Sequence, residues 1–147
     1  MGANSPVNAP LYTTGILRLA ASLPEPERLT RVDGSASRRS PTCGSKVAVA
    51  VQLHEDGRIH ALSQQVEACA FGQASAALVA AGAPGRNPNE VRRALDELAA
   101  WLAGERDALT AWPAFEALEP ARSRRGRHGA ILLPLEALAA ALEGETR

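Results

Sequence analysis

The sequence predicts an α+β fold: a small antiparallel β-sheet of about three strands with helices packed on one face. Three observations carry this reading. Val47, Val49, Val51 and Leu53 alternate with Ala48, Ala50 and Gln52, the period of two of a strand with one face in a core. His54-Glu55-Asp56-Gly57 is a turn, with Gly57 suited to positive φ, and residues 58–66 read as the returning strand of a hairpin. After Cys69 the apolar residues recur at helical spacing almost to the end of the chain.

The elements follow in order. Residues 1–9 are small and polar and are expected to form a flexible N-terminus, leaving 10–147 as a single domain. Leu11, Ile16, Leu19 and Leu23 fall near helical spacing before Pro24 and Pro26, which predicts a first amphipathic helix. A short strand is expected around residues 29–32, followed by an irregular loop through Gly34, the serines and Pro41. After the hairpin, an Ala-rich helix over 70–82 stops at Gly82, Pro84 and Gly85. Asn87-Pro88-Asn89-Glu90 is a strong helix start, since Asn87 can cap, Pro88 suits the first turn and Glu90 completes a capping box. Val91, Leu95, Leu98, Trp101 and Leu102 give that helix a buried stripe, and Gly104 closes it. A shorter helical piece is expected within 105–118. The last helix is expected over 131–142, with Pro134 tolerable only in its first turn.

Composition excludes several classes. A chain of 147 residues suits one domain, and sixteen basic against sixteen acidic side chains argue against bulk attachment to nucleic acid or an anionic membrane. Two cysteines exclude a disulfide-dense secreted scaffold. No apolar run approaches the length of about eighteen residues that a membrane helix needs, and the start lacks the pattern of a secretory signal. The expectation is a soluble cytoplasmic domain.

Chemistry is suggested by where the two cysteines fall. Cys43 sits in Pro41-Thr42-Cys43-Gly44-Ser45, directly before the first hairpin strand, and Cys69 directly after the second. A hairpin returns the chain to its starting point, so residues flanking its open end are expected to lie close in space. A helix N-terminus after Cys69 also favours negative charge. Two thiols so placed can bind a thiophilic metal, carry sulfur or form a disulfide; they can also be small buried side chains of no chemical consequence. His128, at the entry to the last helix, gains interest as a further ligand if that helix packs beside the hairpin end. His54 and His60 are expected to be exposed and are assigned no role. The basic run through Arg122, Arg124, Arg125 and Arg127 can meet an acidic partner or be a solvated loop. With only Trp112 and Phe115 nearby it offers no stacking platform for single-stranded nucleic acid.

These residues, in this order, resemble the U-type iron–sulfur cluster assembly scaffolds, the IscU/SufU/NifU N-terminal family. Pro41-Thr42-Cys43-Gly44 is similar to that family's first cysteine loop. The Asp56-Gly57 hairpin, Glu67-Ala68-Cys69-Ala70 with its small-residue helix, and Arg127-His128-Gly129-Ala130-Ile131-Leu132 resemble its later segments. The resemblance covers nearly the whole chain and implies a SufE/NifU-like fold whose ligand loops meet at one end. It implies a scaffold or carrier, with sulfur transfer left open, that holds a transient iron–sulfur cluster (2Fe-2S) or zinc. Cys43, Cys69 and His128 are then the metal ligands, and a cysteine desulfurase and other assembly proteins are the partners. Two positions depart from the pattern: Ser45 stands where an aspartate is expected and Gly129 near where a third cysteine is, which leaves them as weak or lost ligand positions. The stretch containing Trp112 to Arg122 resembles an insertion of the SufU branch, whose members resemble zinc-bound sulfur acceptors. A partner-binding module that has kept the fold without the metal is the remaining alternative.

Overall fold

The computed structural model describes residues 12–41 and 44–144. The chain runs α1 (Thr14–Ala21), β1 (Gly34–Arg39), β2 (Lys46–Leu53), β3 (Ile59–Glu67), α2 (Ala70–Gly82), α3 (Pro88–Leu102) and α4 (His128–Leu142). Short 3-10 segments at Pro113–Ala121 and Arg125–Arg127 lie between α3 and α4. The three strands form one antiparallel sheet in the order β1-β2-β3. This is the predicted α+β architecture.

The hairpin follows the alternation in the sequence. Val47, Val49 and Val51 are buried, while Ala48, Ala50 and Gln52 lie on the outer face. The register pairs Val47 with Val66 and Lys46 with Glu67, so the open end of the hairpin brings Ser45 and Ala68 alongside. His54 to Gly57 close the other end, with Gly57 at φ +89°.

The first strand is not where residues 29–32 suggested. β1 is the Ser-rich stretch Gly34–Arg39, paired from Gly34↔Val51 to Arg39↔Lys46. Residues 30–33 reach the end of β2 mainly through side chains instead. Asp33 Oδ2 accepts from the Leu53 amide at 2.7 Å, and Arg31 Nη2 donates to the Leu53 carbonyl at 2.8 Å. Strand β1 is built of small residues because α4 crosses close over it. A Cβ on Gly34 would stand 2.1 Å from the Ala141 carbonyl oxygen, inside any permitted contact.

Helix α1 starts at residue 14, where the Thr13 hydroxyl accepts from the Ile16 amide, and it buries Ile16 and Ala20. Helix α2 is the central helix, buried on most sides through Phe71, Ala74, Ala76 and Val79. Gly72 lets α4 approach it, since a Cβ there would crowd Ala68 and meet the Ala130 carbonyl at 3.3 Å. Helix α3 carries the predicted capping box: Asn87 Oδ1 accepts from the Glu90 amide and Glu90 Oε1 from the Asn87 amide, each at 2.8 Å.

Two further expectations are corrected. The helical piece expected within 105–118 is instead the 3-10 segment Pro113–Ala121, preceded by a loop. Buried Glu97 takes the backbone amides of Thr110 and Ala111 and the Thr110 hydroxyl, so those donors are not available to a helix. Helix α4 starts at His128, not 131, so Pro134 lies inside it. Beside the hydrogen bond that Pro134 cannot make, the Ser75 hydroxyl donates to the Ile131 carbonyl at 2.6 Å, tying α4 to α2. No helix among the described residues is long and apolar enough to cross a membrane.

Candidate metal and cluster assembly site

Cys69 is the N-cap of α2. Its backbone is extended (φ −68°, ψ 175°), its carbonyl accepts from the Gln73 amide at 2.9 Å, and its half-buried thiol makes no capping hydrogen bond. The position follows from the register, because β3 ends at Glu67 and α2 begins three residues later.

Opposite stands the turn from β1 to β2. The Gly44 amide donates to the Ser40 carbonyl at 3.1 Å, the Ser40 amide donates to the Ser45 carbonyl at 2.8 Å, and Gly44 takes φ +74°. Gly44 and Ser45 line a cavity of about 160 Å³ together with Glu67, Ala68, Cys69, Arg127 and Ala130. Cys43, together with Thr42, lies outside the described residues. Its chain neighbours Gly44 and Ser45 are therefore the part of the first cysteine loop seen against Cys69. Ser45 is buried at 5% exposure and makes a polar interaction of its own.

The third wall comes from the entry to α4, which packs beside the open end of the hairpin. The residues of that wall are Arg127 and Ala130, three apart and so on one side of the first helical turn. His128 and Gly129 fall between them and are not among the lining residues. The imidazole of His128 has Nε2 at 2.9 Å from the Ala121 carbonyl oxygen. A carbonyl can only accept, so Nε2 carries a proton and the neutral ring keeps Nδ1 bare. Ala130 was missed because the helix was expected to begin at 131; a start at 128 would have placed 127 and 130 together.

Among the described residues Cys69 is the one thiol, and no three His, Cys, Asp or Glu side chains are grouped to hold a metal ion. A metal or cluster placed here therefore draws on donors beyond this set.

The arginines divide. Arg122 is a structural residue: its Nε donates to the Trp101 carbonyl and its Nη2 to the Arg106 carbonyl, each at 2.9 Å, with the guanidinium 4.9 Å from the Trp101 ring centroid. Arg124 and Arg125 are exposed, and Arg127 is half-buried at the cavity. His54 and His60 are exposed on the hairpin, their ring centroids 4.7 Å apart. A separate cavity of about 220 Å³ lies between residues 24–27 and β3 and is lined in part by Gln64. Gln64 Nε2 donates to the Ala76 carbonyl at 2.9 Å, while its Oε1 is buried without a hydrogen-bond partner. No cysteine among the described residues lines that cavity.

Solved structures share this fold. The chain is similar to a nitrogen-fixing NifU-like protein (N-terminal) from Brucella abortus, at 28% identity and TM-score 0.82, over 91% of this chain and 93% of that one. It is also similar to a protein from the thermophile Fervidobacterium islandicum AW-1 named for iron–sulfur cluster assembly scaffolding in the SUF system. That match has 16% identity and TM-score 0.77, over 90% of this chain and 96% of the other. A third solved structure, of a hypothetical protein, matches at 19% identity and TM-score 0.68, covering 88% and 96%. No protein-family model and no curated protein matches the sequence. The fold is that of the NifU/SufU-like iron–sulfur scaffold proteins.

Proposed function

We propose that this chain is a scaffold-type protein of iron–sulfur cluster assembly, a carrier and not a catalyst. The carrying observation is the cavity where Cys69, at the start of α2, meets the loop that follows Cys43. Thiolates from Cys43 and Cys69 bind iron and sulfide as cargo, a transient 2Fe-2S cluster. His128 is the third ligand this chain offers, through the Nδ1 that its bond with Ala121 leaves bare. Ser45 and Gly129 stand at positions from which no soft-metal ligand comes. A cysteine desulfurase supplies the sulfur, other assembly proteins take the product, and the compartment is the cytoplasm.

Anaerobic reconstitution of the full chain with ferrous iron and sulfide tests this. A visible charge-transfer absorption that Cys43→Ser and Cys69→Ser each abolish is the expected result. A colourless, iron-free protein overturns the reading.

A second reading is a zinc-bound sulfur acceptor of the SufU kind. It is favoured by the segment after α3, which the resemblance assigned to that branch and which packs as part of the core, with Trp112, Phe115 and Leu118 at most 2% exposed. Here a thiolate attacks the outer sulfur of a donor persulfide, forms the new S–S bond and releases the donor as thiolate. Near-stoichiometric zinc in the purified protein, lost on changing either cysteine, selects this reading over the iron cluster.

A further inference from the structure

The charge balance of zero over the whole chain hides a strong local imbalance. The sheet register places Arg39, Lys46 and Glu67 in one cross-strand row at the end of the sheet that carries the cavity. All three are on the outer face, because their neighbours Val47 and Val66 are turned to the helices. On the other side of the cavity stands Arg127, at the entry to α4, and Arg125 and Arg124 precede it by two and three residues in the same short 3-10 segment and its N-cap. Arg39, Arg124 and Arg125 are exposed, and Lys46 and Arg127 are half-buried. None of the five makes a side-chain hydrogen bond or ion pair with another described residue. Several cations elsewhere in the chain are spent differently: Arg31 on Asp33, Arg58 on Glu90, Arg92 on Glu143, and Arg86 and Arg122 on backbone carbonyls. With Glu67 the single carboxylate in the row, the cavity mouth is cationic and the rest of the chain is net acidic.

We infer that these five side chains form a cationic collar that docks an acidic protein surface over the cavity. Cations near one opening that are not neutralised by described neighbours steer an oppositely charged partner and fix its orientation, which is what transfer to or from a half-buried thiol requires. A protein surface fits better than nucleic acid, because the described residues of the collar carry no aromatic side chain on which a base could stack. The purpose of the collar rests on the assembly-site reading, but its binding does not require metal.

The test uses the full chain, metal-free, with a fluorescent ten-residue polyglutamate peptide as probe, followed by anisotropy at low ionic strength. Arg124→Glu with Arg125→Glu is expected to weaken binding by at least about tenfold, and Lys46→Glu by a smaller factor. Arg93→Glu, an exposed charge reversal on α3, is expected to change it less than about twofold. Equal weakening by the α3 variant, or no binding by the native chain, overturns the collar. Tighter binding of a ten-nucleotide oligothymidylate than of the peptide overturns the assignment to a protein surface. Cys43→Ser and Cys69→Ser should leave peptide binding intact. Failure of the native chain to load iron therefore counts against the assembly site alone, and loss of peptide discrimination alone counts against the collar.

Discussion

Cys69 and Ala130 line one cavity from the first turns of two different helices, α2 and α4, and Ala130 is 1% exposed. The helix wall that faces the thiol therefore ends in a methyl group. Among the described residues, that wall presents no soft metal ligand.

Replacing that methyl follows directly. Ala130→Cys puts a second thiol on the described cavity wall and should raise zinc affinity by at least about tenfold, measured by competition with a chromogenic chelator. Affinity unchanged from the native chain would show that α4 stands outside ligation distance of Cys69.

His128 can be tested without disturbing its helix. His128→Gln keeps an N–H donor for the Ala121 carbonyl and loses Nδ1. Iron retained after reconstitution should fall, while the melting temperature stays within about 2 °C. A drop in melting temperature with iron retention unchanged would make the residue structural only.

Glu97 predicts an acid limit to stability. Burial by itself raises its pKa, but the amides of Ala111 and Thr110, the Thr110 hydroxyl and Arg106 more than offset this and hold it at about 2. The unfolded carboxyl titrates near 4.3, so the unfolded state takes up the proton first as pH falls. The stabilisation is complete above about pH 4.5 and is lost as pH falls toward 2. It is on the order of 3 kcal/mol. Urea unfolding of Glu97→Gln should show lower stability at pH 7 and a flatter profile between those limits.

The close crossing of α4 over β1 makes a sharp contrast between two glycines. Gly34→Ala drives a methyl into the Ala141 carbonyl and should cost about 2–3 kcal/mol by chemical denaturation. Gly126→Ala meets nothing within 4 Å and should be nearly neutral.

How much was legible in the sequence depends on how local each signal is. The β2–β3 hairpin and the start of α3 were readable because alternation and a capping box act within a few residues. Strand β1 was not, since Gly34 and Ala36 are small on account of α4, about a hundred residues away. The start of α4 was hidden by Pro134, which argues for a late start unless Ser75 and the buried α2 packing are known. The closeness of the two chain segments at the open end of the hairpin was legible from its pairing, and Gly44 and Ser45 line a cavity with Cys69 there. Arg127 and Ala130 were not legible as cavity residues because no local motif marks them; their place follows from how α4 packs against α2.

The hairpin also acts as a spacer. Its turn, His54 to Gly57, is separated from Ser45 and Glu67 by the eight residues of β2, a rise of about 26 Å. A reporter dye or affinity tag inserted between Glu55 and Asp56 would sit at the far tip, clear of the collar and the thiol. Its distance from the cavity falls within the working range of energy transfer, so arrival of a labelled partner could be timed without placing a probe in the path of the cargo.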